Sequence, residues 1–286
     1  MIHYDFSVPI PEEPGVCRTC GSQVTGNFCS NCGEKKFVPG EHTIRHFFGD
    51  VLNAITSLDG NFLQTAKLMI TKPGVMTYQY INGRRAPFIK PMSMFFIVNL
   101  IYFMFSYGDS LNTKLYPQMN NILFHSEVAK EIVEKRIKEE RTNIKAFTIK
   151  YEAQSTDQAK MWLVLVVLYF SVALWIVNFN KKVFYFDHLT ASLEFMSLAT
   201  IYMFVILPWI FVLLSKFNVF GEQDINSISK YPLILTAWVL LFFFERNTYK
   251  QPLLRSLSKA ALLVFFFYIT LQLYRVTLFY ITMWTL

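Results

Sequence analysis

Charge is scarce in this sequence. Asp, Glu, Lys and Arg make up 16% of its 286 residues, against about 25% in a soluble domain, which excludes a chain living wholly in water. Cysteine is absent beyond Cys32: all four fall between Cys17 and Cys32. A disulfide framework is therefore not expected, and a reducing compartment is. Residues 1–16 contain Pro9, Glu12, Glu13 and Pro14 but no apolar run, so no cleavable secretory signal is expected. There is no H-E-x-x-H, no G-x-S-x-G and no P-loop, nor a pair of carboxylates expected at one depth, so the reading leans away from an enzyme, with no catalytic residue assigned.

What is abundant is apolar surface. Hydrophobic residues reach 53% and aromatic ones 17%, with Phe occurring 29 times. The net charge of +7 fits cytoplasmic Lys and Arg beside anionic lipid, and nucleic acid is not expected as a partner. Five apolar stretches follow residue 90: Met92–Tyr107, Met161–Phe179, Leu189–Ser215, Pro232–Phe244 and Ala260–Leu286. A span needs about 20 residues, so the first and fourth must recruit their flanks. Four spans with one short run re-entrant is the alternative. The expected fold class is an all-α polytopic membrane protein of about five transmembrane helices. It carries a small N-terminal zinc ribbon and amphipathic interfacial helices.

Cys17-Arg18-Thr19-Cys20-Gly21 and Cys29-Ser30-Asn31-Cys32-Gly33 are two C-x-x-C-G knuckles. A tight turn aims two thiolates at one point, and glycine accepts the positive φ beyond it. Cys17, Cys20, Cys29 and Cys32 thus supply four sulfur ligands for a structural Zn²⁺ closed to water. An iron centre of the rubredoxin type uses the same ligands. A redox dithiol or two disulfides are the other readings, but a redox C-x-x-C opens a helix in a βαβ unit, and none surrounds these.

Lys72–Pro91 (KPGVMTYQYINGRRAPFIKP) mixes helix breakers, aromatics and cations, a composition suited to the membrane–water interface. Ahead of it, residues 42–58 show the period of an amphipathic helix. His42 and His46 lie four apart on it, more simply as polar-face residues than as metal ligands. Phe62–Ile70 and Val75–Ile81 read as further short amphipathic helices. The double C-x-x-C-G head, Asp59 ahead of a Thr-x-x-x-Leu/Met helix, Pro73-Gly74, Tyr80-Ile81-Asn82-Gly83-Arg84-Arg85 and Pro91 together resemble a bacterial inner-membrane family met mainly in Bacteroidota. It is known as domain of unknown function three-six-six-seven. The resemblance covers about residues 17–105; Phe88 fits the aromatic that usually follows the arginines. It implies the architecture and no established activity.

The expected domains are a ribbon with a flexible lead (1–38), amphipathic helices and hinge (39–90), and a transmembrane bundle (91–286) with an extracytoplasmic loop at 108–160. In that loop Ser126 is expected to cap a charged helix running to about Arg141, and Phe147, Ile149 and Tyr151 alternate as in a short strand. Basic residues flanking the short loops (Arg84, Arg85, Lys90, Lys181, Lys182, Arg246, Lys250, Arg255 and Lys259) put the N-terminus in the cytoplasm. Lys138 and Lys250 are then expected on opposite sides. Glu194 and Arg275 are the ionisable residues inside apolar runs and so candidates for function. Glu194 is expected either to pair with Arg84 or Arg85 or to snorkel to the interface. Arg275 is expected to anchor outer headgroups, leaving Val276–Leu286 as a short interfacial or tilted tail. The leading expectation is a non-enzymatic inner-membrane protein whose cytoplasmic ribbon docks a protein partner or steadies the hinge. The alternative is a transporter or lipid-handling protein that binds phosphate of anionic membrane lipids through Tyr80, Arg84, Arg85 and Lys90.

Overall fold

The computed structural model describes residues 9–11, 13, 15–36, 61–105, 114–122, 124–179, 183–216 and 230–286. Among these, extended order is helical throughout, and β structure is limited to two isolated bridges in the head. The helix expected over residues 42–58, with His42 and His46, lies outside the described residues.

Two short helices precede the bundle, α1 (Phe62–Thr71) and α2 (Val75–Ile81), as their apolar spacing predicts. Helix α3 (Pro91–Phe105) opens on Pro91, whose missing N–H costs nothing at a first helical position. After it come α4 (Leu115–Asn120), α5 (Ser126–Glu139) and α6 (Ile144–Trp162). Helix α7 (Val164–Val177) continues α6 after a bend of 54°. The bend lies at Leu163, where the turn tightens and Val166 N donates to Leu163 O at 3.1 Å.

Helix α8 (Tyr185–Ala199), a π-helical segment (Thr200–Ile206) and α9 (Leu207–Lys216) run on without a break. The widened turns sit just before Pro208, whose ring would crowd a carbonyl four residues back in a regular helix. Helices α10 (Lys230–Thr248) and α11 (Leu253–Thr285) complete the bundle. By length and composition Tyr185–Leu214 and Leu253–Thr285 can each cross a membrane, and the bent α6–α7 pair makes a third span if it is counted as one.

The bundle forms around α8. Every residue from His188 to Ala199 is buried, the mark of a helix enclosed on all sides. Helices α2, α3, α7 and α10 pack on it, and Phe170, Phe195, Phe244 and Phe267 meet ring to ring across four helices. A second core gathers Leu115, Ala129, Val133, Phe147 and Tyr151 from α4–α6 around Phe279 and Met283 of α11. This cap sits at one end of α11, and the hinge and the N-terminal end of α11 lie at the other.

Two local expectations are corrected here. Residues 147–151 are helix, not strand: Phe147 and Tyr151 are buried while Ile149 is 74% exposed, the pattern of one helix face. Asn143 caps this helix by accepting from Ala146 N at 2.9 Å. Ser126 is the first residue of α5 rather than its cap; its hydroxyl donates to Ile122 O at 2.9 Å and accepts from Ile122 N.

Arg275 is likewise corrected. The chain beyond it is neither interfacial nor a separate tail, because α11 stays helical to Thr285 and its last turns fill the cap core. Arg275 is half-buried at the junction, and its carbonyl accepts from Gln118 Nε2 at 3.0 Å. The 33 residues of α11 extend about 50 Å at about 1.5 Å each, well beyond a hydrocarbon core of about 30 Å. The excess length is what carries the cap. Lys138 lies in the cap, where nearby Arg136 donates to Met283 O, and Lys250 lies over Tyr78 at the hinge, so the two are at opposite ends of the bundle.

Candidate metal centre and hinge clamp

The two knuckles fold alike. In the first, Cys17 N donates to Ser22 O at 2.8 Å and Gly21 N to Cys17 O at 2.9 Å. In the second, Cys29 N donates to Glu34 O at 2.8 Å and Gly33 N to Cys29 O at 2.9 Å. Gly21 and Gly33 hold φ of +76° and +74°, the left-handed turn that glycine enters without a Cβ clash. Each knuckle is closed by one antiparallel bridge, Val16 with Gln23 and Phe28 with Lys35.

All four Sγ atoms lie within 4.8 Å of one another. Cys17–Cys32 and Cys20–Cys29 are each 3.5 Å apart. A disulfide requires about 2.0 Å, and the cysteines are free thiols. Four sulfurs at about 2.3 Å from one ion stand about 3.8 Å apart in a tetrahedron, so the cluster is shaped to hold a metal ion. Thiol acidity is uneven across it. Burial pushes Cys17 and Cys32 up, whereas at Cys20 the hydrogen bonds with Ser22 outweigh burial and bring the thiol to about 6. A bound cation favours the thiolate at every position and displaces the remaining protons.

The head docks on the hinge through the residues inside and just after the knuckles. Glu34 directly follows the second knuckle and is buried. Its Oε2 accepts from Thr19 Oγ1 at 2.6 Å, from Arg85 N at 2.7 Å and from Ala86 N at 2.7 Å. Arg18 Nη1 donates to Asn82 O at 3.0 Å, and Arg84 Nε donates back to Arg18 O at 3.1 Å. The same loop is tied to α1, where Asn61 Nδ2 donates to Ala86 O at 2.8 Å and Ile89 N to Thr65 Oγ1 at 3.0 Å.

Glu194 holds the hinge from the bundle side. It is 1% exposed; Oε1 accepts from Gly74 N at 2.9 Å and Oε2 from Thr77 N at 2.7 Å. This corrects the expected alternatives for Glu194, an ion pair with Arg84 or Arg85 or snorkelling to the interface. The first turn of α2 presents unsatisfied N–H groups that a carboxylate suits better. Gly74 sits at φ +82°, and a Cβ there would stand 2.6 Å from Phe244 O. Helix α10 adds Asn247 Nδ2 to Pro73 O at 2.8 Å and Thr248 Oγ1 to Gly74 O at 3.2 Å.

The residues expected to meet lipid therefore divide. Arg84 is 3% exposed and turned to the head. Arg85 is half-buried, with its guanidinium 5.6 Å from the centre of the Tyr80 ring and Nε donating to Tyr80 O at 3.2 Å. Lys90 and Tyr80 are half-buried beside it. Glu34, Gly74, Asn247 and Thr248 were not singled out by the spacing arguments. Only the placement of Glu34 directly after a knuckle could have pointed to it.

Residues 59–103 match a family described as a protein of unknown function (DUF3667). The match spans α1, the hinge, α2 and most of α3, and leaves the cysteine head outside. No curated protein and no solved structure matches the chain.

Proposed function

We propose that this chain is a non-enzymatic protein of the bacterial inner membrane in which a zinc-held head clamps the membrane hinge. The observation that carries the reading is the triple bond at Glu34 Oε2, which joins the first knuckle to the backbone of Arg85 and Ala86. The head has too little apolar core to hold its own shape. A tetrahedral ion on Cys17, Cys20, Cys29 and Cys32 supplies that order, and zinc is the ion whose structural sites take four thiolates closed to water. The clamp reading takes the hinge-steadying arm of the earlier expectation in preference to docking of a separate protein.

Five crossings fit this reading: α3, the α6–α7 pair, α8–α9, α10 and α11. In α11, Arg255 and Arg275 are 20 residues apart, about 30 Å along the axis and equal to the hydrocarbon thickness. The basic residues near the hinge put the head in the cytoplasm and the cap outside. Arg85 and Lys90, half-buried at the hinge, suit contact with anionic headgroups in support of the clamp.

The test is elemental analysis of the purified full-length protein joined to a readout of head docking. About one zinc per chain is expected, and Cys20→Ser should lose it, since three thiolates leave the tetrahedron open. Glu34→Ala should keep the zinc and release the head to protease attack at Arg18, Lys35 and Lys36. Full zinc in Cys20→Ser, or an undisturbed head in Glu34→Ala, defeats the reading.

A further inference from the structure

Three carboxylates are buried among the described residues: Glu34, Glu194 and Glu245. The first two are engaged in holding the hinge. Glu245 is different. It is 0% exposed; its Oε1 accepts from Asn178 Nδ2 at 2.8 Å, and its Oε2 has no hydrogen-bond partner among the described residues.

Around it lies a continuous polar patch drawn from the ends of α7, α8, α10 and α11. Asn178 Oδ1 accepts from Lys259 Nζ at 2.6 Å and from Gln251 Nε2 at 3.0 Å. One turn beyond Glu245, Tyr249 OH is 2.8 Å from His188 Nδ1. His188 is also 0% exposed, and its Nε2, like Gln251 Oε1, has no partner among the described residues. Lys259 and Gln251 are half-buried, so polar side chains lead from the head-side surface to Asn178 and then to Glu245.

A structural ion pair does not account for this pattern. Burying a carboxylate without a full set of donors is costly, and a latch would use both oxygens, as Glu194 does. Glutamate and histidine side chains inside a bundle are the usual carriers of protons there.

We propose that Glu245 is a proton-exchange site of the bundle, reached from the head side past Lys259, Gln251 and Asn178. The step is a simple transfer. An O–H bond of a hydronium ion breaks, the proton bonds to Glu245 Oε2, and water is left. Titratable and charged groups brought to this turn are Lys259 and Arg255 from α11, and His188, Asp187 and Glu194 from α8. Tyr249 and Lys250 lie at the end of α10, with Tyr78 of α2 beneath Lys250; the π-helical segment adds Tyr202. Because Asn247 and Thr248 on the same turn hold Pro73 and Gly74, the site lies beside the hinge. It does not depend on a metal in the head.

The experiment is infrared pH-difference spectroscopy of full-length protein in lipid nanodiscs. Wild type should show a carboxylic C=O band that grows on acidification and shifts in deuterium oxide. The band should be missing from Glu245→Gln and present in Glu194→Gln. A pH-independent spectrum, or the same band in Glu245→Gln, overturns the proposal. Should Glu245→Gln fail to fold, Asn178→Leu decides. Removing the Nδ2 donor from Oε1 should raise the band's frequency, and an unmoved band overturns the assignment.

Discussion

Glu34 and Glu194 do the same chemistry from opposite sides of the hinge. Each is a buried carboxylate that accepts two backbone N–H groups of the segment between α1 and α3, at Arg85 and Ala86 in one case and at Gly74 and Thr77 in the other. Their supports differ. Glu194 projects from α8, enclosed on every side by the bundle. Glu34 projects from a head with four cysteines and two isolated bridges. The bundle latch is permanent as long as the fold exists, whereas the head latch lasts only as long as the head is ordered. A metal ion in the cysteine cluster can therefore act on one side of the hinge without touching the other.

The hardest break of the bundle latch is Gly74→Ala. The left-handed φ costs a non-glycine residue about 1–2 kcal/mol, and overlap with α10 adds about 1–3 kcal/mol. Thermal unfolding in detergent should show the largest loss of any hinge variant. Glu194→Gln comes next. An amide –NH₂ placed against a backbone N–H leaves a buried donor without an acceptor, a loss of about 3 kcal/mol, and the protein should unfold earlier with its head still metal-loaded. Glu34→Ala should weaken head docking by about 2 kcal/mol, roughly 30-fold in the docked population, with little change in bundle unfolding. The smallest effect is expected for Arg85→Ala, at most about 1 kcal/mol. The head grips that residue by its backbone N–H, and the side chain contributes its contacts with Tyr80. A larger loss for Arg85→Ala than for Glu34→Ala would reverse the roles assigned to backbone and side chain.

Periodicity made the helices legible. All five apolar stretches are helical, and α2 runs from Val75 to Ile81 as its spacing indicates. The knuckles were legible because C-x-x-C-G encodes its own turn, seen in Gly21 and Gly33. The partners of the buried charges were not. Arguing Glu194 by depth placed it beside arginines, but backbone N–H groups carry no signature in sequence, and the end of a short helix offered a better match than a side chain did. Arg275 was misread for a related reason: an arginine in an apolar run looks like the end of a span, and nothing in Val276–Leu286 announces the cap that buries Phe279 and Met283. Phe147, Ile149 and Tyr151 alternate in type, yet their burial follows the helix that Asn143 caps. Glu245 stood in the last charged turn of its helix and read as a topology signal until Asn178 and His188 were seen beside it.

Amide hydrogen exchange with and without chelation tests the central claim most directly. Each latch protects two amides, so the pairs serve as internal controls for one another. The account predicts that stripping the metal speeds exchange at Arg85 and Ala86, to about the rate seen in Glu34→Ala, and leaves Gly74 and Thr77 unchanged. Protection at Arg85 and Ala86 that survives complete metal removal would contradict it.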